Sequence, residues 1–360
     1  MKSTAALLLA FVSAIFVAKY SVRLGAPGIL SGLLSGIFFL TLAIAAPGFA
    51  RRFRAPLTGR FILLVTGGLS ILALIGILLL SPESRVGRLP AIDVWLSDFL
   101  GGTFPYHAPN QPSGFPMLFI MALPAYLLGN TGLLEVAGIA LFGAALWKMN
   151  KEGTAGGWVP IALLLLLPSF YYEVIVRSEL FFNMTLVLAL ILFSDEYTAR
   201  RDSIRKFPGI AILFGLALST RAIVGLVYVV YVLWRFRREP LRGAAFAAVA
   251  VGTFFLTLLP FVLWNPGLFL SNGPFTIQFG YLPFWIILGV LGAAAVAGLL
   301  VRERREVLFS IGVLLFVVVF IAFCLKVLES DVSATLSIDR FDISYFVFCT
   351  PFLLVSLNEA

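Results

Sequence analysis

Long apolar stretches separated by short basic clusters run the length of the chain, and the length of each stretch carries the structural message. They fall at 4–20, 28–49, 61–80, 131–147, 157–172, 180–194, 207–219, 222–234, 243–263, 283–301, 307–327 and 343–357. A helix rises about 1.5 Å per residue and the hydrocarbon slab is about 30 Å thick, so a run near 20 apolar residues predicts a membrane span. The pattern predicts an all-α polytopic membrane protein with about 10–12 transmembrane helices in one domain. Three N-terminal spans occupy 1–80, an extracytoplasmic loop with interfacial helices 81–130, core spans 131–240 and C-terminal spans 241–360.

Two places break the regular pattern. The apolar stretch Gly114 to Gly129 is too short to cross and is bounded by Pro116 and Pro124, so it is expected to lie along or dip into the outer interface. The stretches 207–219 and 222–234 are also short and meet at Ser219-Thr220-Arg221. Such a pair is expected to meet below the outer surface and to hold Arg221 in a protein-lined cavity. An arginine near the centre of a span costs about 2.5–3.5 kcal/mol on insertion scales and is usually kept for a substrate or a partner.

Composition agrees with the pattern: 61% of residues are hydrophobic and 12% charged, where a soluble domain would carry about a quarter charged. Arg51/Arg52/Arg54/Arg60, Lys148/Lys151, Arg200/Arg201/Arg205/Lys206, Arg235/Arg237/Arg238/Arg242 and Arg302/Arg304/Arg305 all fall on one face of the predicted topology. With Lys2 they make 18 of the 26 Lys and Arg. Positive charge stays cytoplasmic during insertion, which puts both termini inside and 81–130 outside, in a cytoplasmic membrane. The net charge of +8 is then a consequence of topology and calls for no nucleic acid; the same clusters suit anionic lipid heads. Cys324 and Cys349 lie within predicted spans and behave as small apolar residues. The first apolar run has no clear cleavage site and is followed by Lys19 and Arg23, so it is expected to remain as an anchor.

The candidate chemistry gathers on the predicted outer side. The loop carries Asp93, Asp98, Tyr106 and His107, the only histidine, among several prolines. Arg177-Ser178-Glu179 forms a tight turn between 157–172 and 180–194, and Arg221 approaches from the short pair; Tyr171, Tyr172, Tyr281 and Trp285 are expected near the same interface. The guanidinium fork suits phosphate and a carboxylate can take a proton from a hydroxyl, so the set suggests a lipid-linked phosphate leaving group opposite an activated alcohol. Each residue also has a purely structural use. Asp93 suits the cap of a helix starting near Val94, Asp98 a solvated loop, His107 an interfacial position, Arg177 and Glu179 a mutual pair, and Arg221 the carbonyls of a helix end. Asp331, Asp339, Arg340 and Asp342 form a further outer loop. No Gly-rich phosphate loop, Ser-His-Asp order or Cys/His metal spacing is present.

Asp93 followed by Phe99-Leu-Gly-Gly-Thr-Phe-Pro105-Tyr106, then Phe115-Pro116-Met-Leu, resembles the first outer loop of GT-C superfamily glycosyltransferases. The nearest branch is the polyprenol-phosphate-sugar-dependent mannosyltransferases, where an acidic residue precedes a Gly-x-x-x-Tyr … Tyr-Pro-Pro-Leu stretch. Leu167-Pro168-Ser169 leading to Arg177-Ser178-Glu179 is similar to a later segment of that family, and Gly209 to Arg221 to its G-x-x-x-G-L-A-x-x-T-K stretch, with arginine in place of lysine. The resemblance covers about residues 88–240.

The resemblance implies inverting sugar transfer at the outer membrane face, with a hexose on an isoprenoid phosphate as donor and a glycan, lipid or protein hydroxyl as acceptor. It makes Asp93 the general base, has Arg177 or Arg221 hold the phosphate, and leaves Asp98, Tyr106, His107 and Glu179 to contact substrate. No cofactor is implied; Asp93 and Asp98 are five apart, so no Asp-x-Asp metal pair forms, and a divalent ion is possible without being indicated. The chain departs from the family in carrying two extra N-terminal spans and in having Phe115-Pro116 for the Pro-Pro pair. A transporter or flippase for a lipid-linked or anionic solute stays open, because broken helices meeting in the membrane are a transporter device. So do a membrane polymerase acting on lipid-linked glycans and a non-catalytic GT-C-like subunit.

Overall fold

The structure, a computed structural model, describes residues 1–23, 25–52, 59–79, 88–107, 112–150, 157–199, 207–330, 332–337 and 341–357. The basic positions Arg54, Lys151, Arg200, Arg201, Arg205 and Lys206 and the loop positions Asp331, Asp339 and Arg340 lie outside the described residues, as do 81–87 and 108–111 of the predicted loop.

Helices make up the fold, with no strand among the described residues. They are α1 Lys2–Arg23, α2 Gly28–Arg52, α3 Gly59–Leu79, α4 Arg88–Leu100, α5 Pro116–Leu127, α6 Leu133–Asn150, α7 Val159–Leu166, α8 Pro168–Val176 and α9 Leu180–Ala199. There follow α10 Phe207–Leu218, α11 Val224–Phe236, α12 Pro240–Trp264, α13 Pro266–Asn272, α14 Pro274–Phe279, α15 Phe284–Leu300, α16 Arg304–Glu329 and α17 Val332–Ser337. A 3-10 helix Ile343–Cys349 then leads into α18 Thr350–Ser356. Proline marks many of the starts, where its missing N–H costs nothing: Pro116, Pro168, Pro240, Pro266 and Pro274 each open a helix. At α16 the start is a reciprocal cap, with the Glu306 carboxylate accepting from the Glu303 N–H at 3.2 Å.

The protein is an all-α, multi-pass membrane protein, with fewer spans than the apolar stretches suggest. Among the described residues six helices are long and apolar enough to cross, and up to eight if each of two bent pairs counts as one span. The stretch 157–172 is broken by 68° where Leu167 turns extended ahead of Pro168, because a residue before proline is pushed out of the helical region. The other bent pair, Pro266–Phe279 with Phe284–Leu300, turns by 59°. The predicted spans 207–219 and 222–234 are helices of only 12 and 13 residues, and 343–357 is a 7-residue 3-10 helix followed by a 7-residue α-helix. Hydropathy counts them as spans because it measures apolar content and is blind to where the backbone turns.

Small residues set the closest helix approaches. In the α1–α2 hairpin a Cβ on Gly32 would sit 2.7 Å from the Ala14 carbonyl oxygen and 2.8 Å from the Ala18 Cβ. Gly138 of α6 lies equally close to the Phe182 backbone of α9. Gly32→Leu is therefore expected to cost about 1–3 kcal/mol by overpacking and to lower the thermal midpoint in detergent; an unchanged midpoint would refute the packing argument. The first helix also packs against α8, α16, α18 and the 3-10 helix, so the N-terminal hairpin is joined to the C-terminal elements.

Candidate functional site

Helices α10 and α11 form an antiparallel hairpin that enters and leaves on one side. Phe207 at the start of α10 meets Phe236 at the end of α11 at 6.1 Å, and Phe214 meets Tyr228 and Tyr231 at 4.6 and 5.3 Å. A leg of 12 residues reaches about 18 Å, more than halfway through a slab of about 30 Å. The tip is the break at 219–223, as the short lengths of the two stretches predict. The last carbonyls of α10 find partners in the first N–H groups of α5: Phe115 N–H donates to Thr220 O and Met117 N–H to Ser219 O, both at 3.0 Å. Two helix ends thereby satisfy each other's orphan groups.

Arg221 occupies this tip and is 3% exposed. Its Nη2 donates to Glu179 Oε1 in a buried ion pair, and its Nη1 donates to Ser113 Oγ at 2.9 Å. Gln278 completes a ring of contacts, donating to Ser113 O at 2.6 Å and accepting from Ala222 N–H at 2.7 Å. Thr220 Oγ1 donates to Asn183 Oδ1 at 2.9 Å. The tip is thus fixed from α9, from the loop before α5 and from α14.

On its other side Arg221 lines a cavity of about 240 Å³ bounded by α11, α15, α16 and the segment around Phe341 and Tyr345. Leu226, Val290, Leu291, Val318, Val319 and Ala322 give it apolar walls, while Arg221, Gln278, Tyr281 and Tyr345 supply polar groups. The Tyr345 hydroxyl donates to that of Tyr281 at 3.3 Å. Chemically the cavity suits an amphiphile with an anionic head beside the guanidinium and an apolar body along the helices.

The remaining predicted residues are distributed as follows. Arg177 closes the predicted tight turn, with left-handed backbone (φ 56°) and almost complete burial. Its Nη2 donates to Ile77 O at 2.6 Å, satisfying a carbonyl at the C-terminal end of α3, and its methylenes pack on Gly132. It is absent from the cavity wall. Asp93 does not cap a helix starting near Val94, because α4 begins at Arg88 and Asp93 lies inside it. Half-buried, it accepts from Thr131 Oγ1 at 2.9 Å, next to the Gly132 that packs on Arg177. Asp93 and Arg177 thus meet the same short segment ahead of α6.

Asp98 and His107 sit apart from this group: the His107 Nδ1 lies 3.5 Å from the Asp98 Oδ2, at the end of α4 and in the loop after it. Tyr106 is fully buried between Trp95, Phe119, Phe261 and Phe269. Its hydroxyl donates to Gly114 O at 3.1 Å, and burial pushes the phenol well above its usual range. In place of the expected substrate contact it anchors the loop that supplies Ser113. Tyr281 lines the cavity; Tyr172 packs on Phe16 and Tyr20, Tyr171 donates to Leu165 O at 2.7 Å, and Trp285 is exposed.

Two glutamates join the polar groups named so far: Glu135 and Glu173 are fully buried, and Glu135 lies within electrostatic reach of both Glu173 and Glu179. Glu135 lay in plain sight inside the apolar run 131–147, where an ionisable residue is itself a signal. Ser113, Asn183 and Gln278 carry no such mark. Among the described residues no group of three or more His, Cys, Asp or Glu has a metal-holding arrangement. No protein-family model, curated protein or solved structure matches the chain.

Proposed function

We propose that the protein transfers a hexose from a polyprenyl-phosphate donor to an acceptor hydroxyl at the extracytoplasmic face of the cytoplasmic membrane, on a GT-C-like plan. The observation that carries this reading is the apolar cavity headed by the buried Arg221, whose fork matches a phosphate. Asp93 takes the proton of the acceptor hydroxyl, whose oxygen attacks the anomeric carbon as the bond to the donor phosphate breaks. The electron pair leaves with the phosphate, and Arg221 stabilises the charge that develops on it. Arg221 is preferred to Arg177 for this role because Arg221 lines the cavity and Arg177 does not. Asp93 adjoins Thr131 and lies outside the cavity wall, so the acceptor, a glycan, lipid or protein hydroxyl, approaches from the loop side. Basic clusters on the opposite side of the predicted topology orient the termini inward.

A second reading, translocation of an anionic lipid or solute, draws on the hairpin α10–α11, whose two short legs end on a buried charge as broken transporter helices do. One experiment separates the two. The full chain in proteoliposomes receives a polyprenyl-phosphate sugar with a labelled sugar, and both glycosidic product and transbilayer movement of label are followed. Transfer predicts product with release of polyprenyl phosphate; movement of label with no glycosidic product would replace it by the transport reading.

A further inference from the structure

Glu135 is a buried ionisable group that the transfer chemistry leaves unused. It lies in the first turn of α6, is fully inaccessible, and has no hydrogen-bond partner at either carboxyl oxygen. The charged side chains acting on it are two further carboxylates, Glu173 of α8 and Glu179 ahead of α9. The Phe182 N–H of α9 faces it without closing a hydrogen bond of normal geometry. Groups that would balance a third negative charge here are engaged elsewhere. Arg221 Nη2 goes to Glu179, Arg177 Nη2 to Ile77 O, and the Phe181 N–H at the start of α9 to Glu173 Oε2 at 3.4 Å. Among the described residues, the elements packed on α6 bring no further cation to this end. Arg60 of α3 adjoins the Gly59 that packs on Trp147, at the opposite end of α6. Asp195 of α9 pairs with Arg235, α5 offers only Tyr126, and Asp93 of α4 is bonded to Thr131.

We propose that Glu135 is a proton-binding site: in the folded protein a bound hydrogen keeps its carboxyl neutral, which spares the Glu179–Arg221 pair a like charge beside it. An ionised carboxylate shut away from water and without donors is so costly that such a group takes up a proton instead. A proton is also the counter-charge that fits, because these carboxylates form no metal-holding group among the described residues. Were Glu135 ionised, three carboxylates would meet at the start of α9, and Glu179 would be repelled while it holds the hairpin tip. The proton therefore acts as a device built into the fold: α6, α8, α9 and the tip stay clamped while it is bound. The inference concerns charge and not substrate, so it stands apart from the transfer reading.

The test uses the full chain in nanodiscs, with its glutamate carboxyls isotope-labelled, and infrared spectra taken at neutral pH. Wild type is expected to show the C=O stretch of a protonated glutamic acid, moved by the label, and Glu135→Gln to lose that intensity. Stability gives a second measurement. An ordinary glutamate in the unfolded chain titrates near about pH 4.3. Above that pH wild type has to take up a proton on folding, and Glu135→Gln does not, so wild type loses stability relative to the variant as pH rises. The two thermal midpoints should coincide near about pH 4 and separate in favour of Glu135→Gln up to about pH 8. Glu135→Met, of similar length and without charge, should fold and follow the same trend. Equal protonated-acid intensity in wild type and Glu135→Gln overturns the proposal. So does a loss of stability at neutral pH in both variants, failure to fold included, because that is the signature of a carboxylate held by a cation.

Discussion

Asp93→Asn is expected to lower sugar transfer about 10²–10⁴-fold, the usual worth of a positioned general base, with donor binding and thermal midpoint close to wild type. The separation is built into the geometry. Asparagine keeps an oxygen able to accept from Thr131 Oγ1, the contact that Asp93 makes at 2.9 Å, but it cannot take a proton. Asp93→Ala removes both, so it should show the same catalytic loss together with a loss of stability of about 1 kcal/mol. Transfer measured in membranes with radiolabelled donor, beside binding of the same donor to purified protein, resolves the two effects. Activity that survives in both variants would remove Asp93 from the chemistry and return it to a support for the segment ahead of α6.

Much of the route to this site is legible in the residues alone. The hairpin tip is readable because two runs of 12 or 13 apolar residues cannot each cross, and the arginine between them has to be held by protein. The turn at Arg177-Ser178-Glu179 follows from three polar residues between two apolar runs. Neither reading tells which guanidinium serves which purpose, because that is decided by tertiary contacts. Arg177 is drawn to the carbonyl of Ile77, a hundred residues earlier in the chain, and Arg221 to Glu179. The resemblance marks Tyr106 as a substrate contact; the four aromatic rings that make it dry come from later and earlier parts of the chain that only the fold brings together. The break at Pro168 carried a local signal that hydropathy averages away, since the residue before a proline resists helix. Ser113 and Gln278 had none: a serine and a glutamine acquire meaning only when the fold brings them to Arg221 and Ala222.

The ion pair at the hairpin tip should dominate stability. Arg221→Met leaves the Glu179 carboxylate without its guanidinium in a site where both side chains are nearly inaccessible, and breaking such a pair from one side costs about 3–5 kcal/mol. Glu179→Gln exposes the opposite imbalance and is expected to lose a comparable amount. Joining the two changes removes both charges, so the double variant should be no less stable than either single one, which sets the coupling in the double-mutant cycle at about 3–5 kcal/mol, the loss of one single variant. Binding then distinguishes a lock from a ligand site. Were Arg221 only the partner of Glu179, the double variant would bind polyprenyl phosphate as wild type does. If Arg221 holds the phosphate, the double variant should refold the tip and still fail to bind, because a methionine offers the phosphate no donor. Thermal unfolding of the four proteins, with and without polyprenyl phosphate, measures both quantities. Ligand-induced stabilisation of the double variant equal to that of wild type would take the anion away from Arg221.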